Sequence, residues 1–340
     1  MTDVDVTSEK FFADLKSGVT SEYAKSVVQT IEKGDGWQNG FADFEKLINL
    51  PEWTGTAVFF ILLLIVFESV KSLFKSKGIC DAIGYVLHLA MASSIILSVS
   101  TLVLEIVGYM QEASAFLGIL LPTLGTLLAA GGNIAGAKVQ SISLSVALSA
   151  TQIIINKLVP SVSLMFFGIA IVDSANLSGR MTMLSQTVKK VFYAAFSIFL
   201  TLFFIALGTQ SLSAAGTDSF SAKALRLLAA NAVPIVGSTI GDALRLVGGS
   251  LVSVKNTVGS AAVVFLLAMY LPPLAVIFAN GVIMNIIIFL CDYFSLGTVK
   301  ETFIHIKHAL GFVLASLTSV FVMGIVNVGV FMGTFPVILT

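Results

Sequence analysis

Long stretches without charge set the pattern of the chain. Thr54 to Phe67 carries no charged residue and is bracketed by Glu52-Trp53 and Glu68. Counting its flanks, it reaches the roughly 17 residues needed to cross a hydrocarbon core, and it is expected to be the first crossing. Further apolar runs follow at Ile83 to Leu104, Ser114 to Ala130, Ser141 to Val172, Val191 to Thr209, from beyond Lys255 to Leu290, and Leu310 to Val337. As a helix Ser141 to Val172 would extend about 48 Å, too long for one passage of a core about 30 Å thick. Lys157 and Pro160 interrupt it, which predicts two short spans turning near Asn156 to Pro160. Pro272-Pro273 marks a similar break, a hairpin or a kink, in the run that ends at Leu290. The pattern predicts an all-α, polytopic transmembrane bundle of about seven or eight spans with broken or re-entrant helices.

Residues 1–52 differ. Tyr23, Val27 and Ile31 repeat at helical spacing, as do Phe41, Phe44 and Ile48, and Gly34-Asp35-Gly36 separates the two sets. Short amphipathic helices are expected, packed on each other, on a partner or on the membrane surface. This head holds ten Asp and Glu against five Lys and Arg, whereas residues 53–340 hold nine against fourteen. Lys71, Lys75 and Lys77 follow the first span at once, so the positive-inside rule puts that loop in the cytoplasm and the acidic head outside. Glu105 and Glu112 then mark an outer loop, and Arg180, Lys189 and Lys190 a second cytoplasmic one. The division expected is an extracytoplasmic head over 1–52 and a transmembrane domain over 53–340.

Composition narrows the class. Apolar residues make up 56% and charged ones 11% of the 340 residues, against roughly 25% charged in soluble domains, so lipid replaces water around most of the surface. Cys80 and Cys291 are read as unpaired. The start lacks a basic and apolar signal region, so either the first span drives insertion or an upstream signal has been removed. There is no Walker loop, GxSxG elbow, HExxH or dinucleotide fingerprint, and neither enzymatic activity nor a cofactor is expected.

The most unusual stretch is 223–259, apolar like a span yet carrying five charged residues. Asn231, Pro234 and Gly237 interrupt helical periodicity, Ser238 can cap a new helix, and Gly248-Gly249 offers a stop. Asp242 and Arg245 stand at i, i+3 and can pair on one face. The segment reads as a broken or re-entrant element lining a cavity, or as an amphipathic helix at the interface.

Several ordered pieces here resemble one family: the basic start around Lys223 and Arg226, Asn231-Ala-Val-Pro234-Ile-Val-Gly237, Asp242-Ala243, and Lys255-Asn256-Thr257-Val258-Gly259. Upstream, Leu121-Pro-Thr-Leu-Gly-Thr-Leu-Leu-Ala-Ala-Gly-Gly132, Leu158-Val-Pro160 and Val172-Asp173 fit the same pattern. Together they resemble the stage III sporulation protein AE family of endospore-forming bacteria. The resemblance implies a channel component in the mother-cell-derived membrane around the forespore. Other stage III sporulation A proteins and a forespore-side channel protein would be its partners, in a homo- or hetero-oligomer with membrane lipid and no nucleic acid. It points to Lys223, Arg226, Asn231, Pro234, Gly237, Asp242, Arg245, Lys255, Asn256 and Gly259 as a channel or assembly element.

Other candidates carry less. His88 reads as a neutral interhelical hydrogen bonder and Lys157 as a snorkelling cation. His305 and His308 share a helical face but lack a third metal ligand nearby. Gly132 to Gly136, Gly237 to Gly241 and Gly329 to Gly333 have GxxxG spacing suited to close helix approach. The rival reading is a self-sufficient secondary transporter of a small solute, favoured by the paired interruptions at Asn156 to Pro160 and Pro272-Pro273.

Overall fold

The computed structural model describes residues 51–71, 77–130, 134–175, 183–201, 203, 205 and 237–333; the acidic head lies outside them. All the regular structure described is helical. Helix α1 is Glu52–Val70, α2 Lys77–Ala130, and α3 Ile134–Ile153, which passes through a π-helical turn, Ile154–Leu158, into α4, Val159–Ala175. Residues 183–201 form α5, and the chain closes with α6, Gly237–Tyr293, and α7, Gly297–Gly333. Among the described residues five helical stretches are long and apolar enough to cross a membrane: Trp53–Val70, Gly78–Ile119, Ser145–Ala175, Ala262–Tyr293 and Gly297–Gly329.

Two separators expected from charge and proline are helix instead. The outer loop around Glu105 and Glu112 belongs to α2, because the buried stripe Val99, Val103, Ile106, Met110, Ala113 and Leu117 runs through it at helical spacing. Glu105 is carried on the exposed side, so its charge does not oppose continuity. The expected turn at Asn156 to Pro160 is the π turn. Pro160 lacks the N–H that an unbroken α-helix would direct at residue 156, and the wider turn falls where that bond is missing. Pro272 and Pro273 likewise lie inside α6, which forms no hairpin there, and α6 runs through Gly248-Gly249 without the expected stop.

The π turn also resets phase. Buried Ala147, Ala150, Thr151 and Ile154 define the inner face of α3, and continued at 3.6 residues per turn that face would fall near 158, 161, 165, 168 and 172. Leu158 is half-buried and Ser161, Met165, Gly168 and Val172 are exposed. The positions one further on, Val159, Val162, Phe166, Ile169 and Asp173, are all buried. One extra residue in the turn thus keeps α4 facing the bundle.

Pairwise contacts fix the directions. Gln111 meets Asn156 and Ser114 meets Gln152, so α2 and α3 are antiparallel. Asp173 meets His305 and Phe166 meets His308, so α4 opposes α7. Ser185 meets His308 while Phe196 meets Phe312, so α5 runs with α7. The core between them is built from large side chains including Phe116 stacked on Phe265, Tyr270 near Phe321, and Phe312 against Phe192 and Phe196.

A three-residue connection, Phe294 to Leu296, joins α6 to α7. Its hydrogen bonds, Leu296 N–H to the Cys291 carbonyl and Ser295 N–H to the Asp292 carbonyl, form a Schellman motif. Ser295 takes the left-handed position at φ 58°, where glycine is usual.

Candidate functional site

Helices α4, α5 and α7 bring together the most chemically loaded buried groups described. His305 Nε2 lies 3.1 Å from Asp173 Oδ2, with the side chains 0% and 3% exposed. Neither Asp173 Oδ1 nor His305 Nδ1 has a hydrogen-bond partner. One turn along α7, His308 Nδ1 is 3.0 Å from the Ser185 hydroxyl, and its ring sits edge-on to Phe166. The two histidines expected to share a helical face do so, but they are directed to different partners. Asp173 was visible in the sequence as the end of an apolar run; its burial is set by the π turn, and its partner is 132 residues away in the chain.

A second polar group lies at the other end of α4, where α3 passes into it through the π turn. Gln111 Nε2 donates to Asn156 Oδ1, Asn156 Nδ2 to Gln152 Oε1, and Gln152 Nε2 to the Ser114 hydroxyl. Gln152 and Asn156 continue a stripe through Ser141, Ser145 and Ser149 at spacings of four and three residues. Each of those serines donates to a carbonyl of its own helix one turn back. Ser145, Ser149, Gln152, Asn156 and Gln111 are exposed, on helices otherwise apolar enough to span a membrane. Lys157 lies next to this stripe and is exposed. It is 16 residues, about 24 Å, from Asp173 along a continuous helix, so the two form no pair.

Of the residues expected from sequence, Lys223, Arg226, Asn231 and Pro234 lie outside the described residues. Gly237 opens α6, and Asp242, Arg245, Lys255, Asn256 and Gly259 follow on its first half. Of the stretch 223–259, the described part, from Gly237 on, is helical. The His88 Nδ1 donates to the Gly84 carbonyl, 2.7 Å away, a bond within α2 itself.

Two features escaped the sequence reading. Buried Trp53 donates Nε1–H to Asn280 Oδ1 at 2.7 Å, joining α1 to α6, and no local pattern announces this pair. The close glycine contacts are also elsewhere. A Cβ on Gly324 would lie 3.3 Å from Leu266 Cδ1 and 3.5 Å from Leu117 Cδ1, whereas one on Gly329 would meet nothing within 4 Å.

Comparison with known proteins adds the lineage. No solved structure matches the chain. The stage III sporulation protein AE of Bacillus subtilis (strain 168) is 24% identical over 229 residues, 66% of this chain. That match takes in 56% of the relative's own length. The family model for stage III sporulation protein AE matches residues 39–334, which include the Asp173–His305 pair, the polar stripe and the whole of 223–259. With that span the chain belongs to the stage III sporulation protein AE family.

Proposed function

We propose that this chain is a multipass subunit of a sporulation channel or secretion-like complex linking mother cell and forespore, needed for endospore formation. It sits in the mother-cell-derived membrane around the forespore, with other stage III sporulation A proteins and a forespore-side channel protein as partners. The stripe from Ser141 to Asn156 is the observation that carries this reading. Amide groups turned to lipid at membrane depth are costly, and non-lipid surroundings come either from a neighbouring chain or from a watery path. Both are what a channel subunit provides. The role is structural or conductive, without catalysis or a cofactor.

In this reading the chain crosses six times, by the five candidate spans and by Val191 to Thr209, whose described part is helical. Alternating crossings agree with every helix direction fixed by the contacts. The element from Lys223 to Gly259, whose described part belongs to α6, serves assembly or passage. The transporter alternative loses its structural motive, since a π turn and a proline pair inside continuous helices are not matched broken helices.

Single cysteines at Ser149, Gln152 and Asn156, in sporulating cells, test the proposal by cross-linking. Adducts to a second chain, absent from cysteines at the exposed apolar Phe59 and Phe289, are expected. Gln152→Leu and Asn156→Leu should lower spore yield at normal membrane protein level, as should Gly237→Leu and Asp242→Ala. Normal sporulation in all four, with no adduct from the stripe, would overturn the reading.

A further inference from the structure

The Asp173–His305 pair has a property that packing alone does not explain: it is sealed from solvent and still leaves one acceptor and one donor position unmet. Neighbouring hydroxyls do not answer them. Ser174 donates to the Ile171 carbonyl and Thr302 to the Thr298 carbonyl, both within their own helices.

A single unpaired charge in such surroundings costs several kcal/mol even after relaxation, a cost that a pair of net charge zero avoids. Two forms meet that condition. In one, the Asp173 carboxylic acid donates to a neutral His305; in the other, an imidazolium donates to a carboxylate. Both contain the same number of protons, and in both Nδ1 carries hydrogen, so the unmet donor and the unmet acceptor are the same in the two forms. In either form the pair is one unit with one proton between Oδ2 and Nε2.

Charged and titratable groups stand on each helix around it, and on α7 Glu301 lies one turn before His305. On α7, Lys307 Nζ bonds Asn285 Oδ1, and His308 faces Ser185. Lys300 pairs with Asp292 of α6 across the connection. On α5, Lys189 brings positive charge toward His308, and Tyr193 lies against Phe312. On α2, Tyr85 lines a shallow apolar cleft with Val86, Leu89 and Ala175 at the end of α4, and His88 is bonded to Gly84.

We propose that Asp173 and His305 form an intramembrane proton-binding site whose occupancy is coupled to the packing of α4 on α7. Packed, the pair keeps its proton. When the helices part, water reaches Oδ1 and Nδ1–H, the O–H or N–H bond between the partners breaks, and the proton leaves to water as hydronium. A carboxylate and a neutral imidazole remain, with net charge changing from zero to minus one and no electron transferred. Rebinding the proton drives the helices together again. A proton gradient across the membrane therefore has a place to act on this fold, whatever the protein conducts.

The chain has three histidines, which makes ¹⁵N-histidine spectra assignable with His88→Gln and His308→Gln. The full-length protein in lipid nanodiscs is titrated between about pH 5 and 9, recording the His305 nitrogen shifts together with backbone deuterium exchange. One step in the His305 nitrogen shifts is expected, as Nε2 loses the shared proton or its hydrogen bond, with exchange in α4 and in the first half of α7 rising severalfold over the same pH interval. Asp173→Asn should abolish that step and His308→Gln should leave it. The wild-type titration decides the matter even if Asp173→Asn fails to fold. A His305 signal constant across the range, a step with no change in exchange, or a step that survives in a folded Asp173→Asn protein would each overturn the proposal.

Discussion

Asn280→Leu should destabilise the bundle by about 1 to 2 kcal/mol. The substitution keeps the branched shape and the number of heavy atoms but removes the acceptor 2.7 Å from Trp53 Nε1. Both residues are 2% exposed, so neither water nor a headgroup replaces the lost partner. Leaving a buried donor unmet costs about 1–3 kcal/mol in general. Hydrogen bonds between membrane helices average nearer 0.6 and reach about 1.7 kcal/mol, since the unfolded chain in lipid also finds partners. The sealed position argues for the upper part of that second range. Trp53→Phe also costs stability, through lost volume as well as lost donor, so the informative quantity is the double-mutant cycle. Asn280→Leu on a Trp53→Phe background should cost about 1 kcal/mol less than on the wild type. Unfolding in mixed micelles with increasing denaturing detergent, followed by circular dichroism, gives all four free energies. In a Trp37→Phe background the Trp53 emission should shift to the blue when Asn280 is removed. A coupling within error of zero would refute the idea that this bond holds α1 to α6.

Gly324→Leu should lower stability by roughly 1–3 kcal/mol, because its side chain must enter the space between Leu266 and Leu117, and melting of the purified protein measures it. Gly329→Ala, facing open space, should be neutral in the same assay within this chain. Ser295→Gly should raise stability by up to about 1 kcal/mol by relieving the left-handed backbone at φ 58°, with no change at lower or higher salt. Deleting Lys157 should be tolerated, since an α turn then replaces the π turn and α4 keeps its phase. Deleting the exposed Leu164 should instead rotate one side of the helix by about 100°, and membrane accumulation of the protein should fall sharply.

Much of the architecture was legible because apolar length is a coarse signal that lipid enforces. The first span, the helical class and the family could all be read from residues. Loop positions were less accessible. Glu105 looks like an interfacial charge, yet it rides the outer side of a stripe whose inner members, Ile106 and Met110, carry α2 onward. Pro160 looks like a terminator, but a wider turn absorbs its missing donor. GxxxG spacing singled out Gly329, which faces open space, while Gly324 is closely packed by Leu117 and Leu266 from other helices. The same holds for Trp53 with Asn280 and for Asp173 with His305: each residue has an unremarkable local context, and its meaning comes from a partner more than a hundred positions away.

The π turn bears on how relatives of this chain are to be aligned. A helix with five residues in that turn and a relative with an ordinary turn can hold the same three-dimensional positions while differing in length by one. Gapless pairing through 154–158 would then set Val172 opposite the relative's inward acid and leave Asp173 beside an outward residue. A single-residue gap placed inside the turn restores the correspondence on both sides. At 24% identity such a slip would pass unnoticed, and an acid kept in space would be scored as lost.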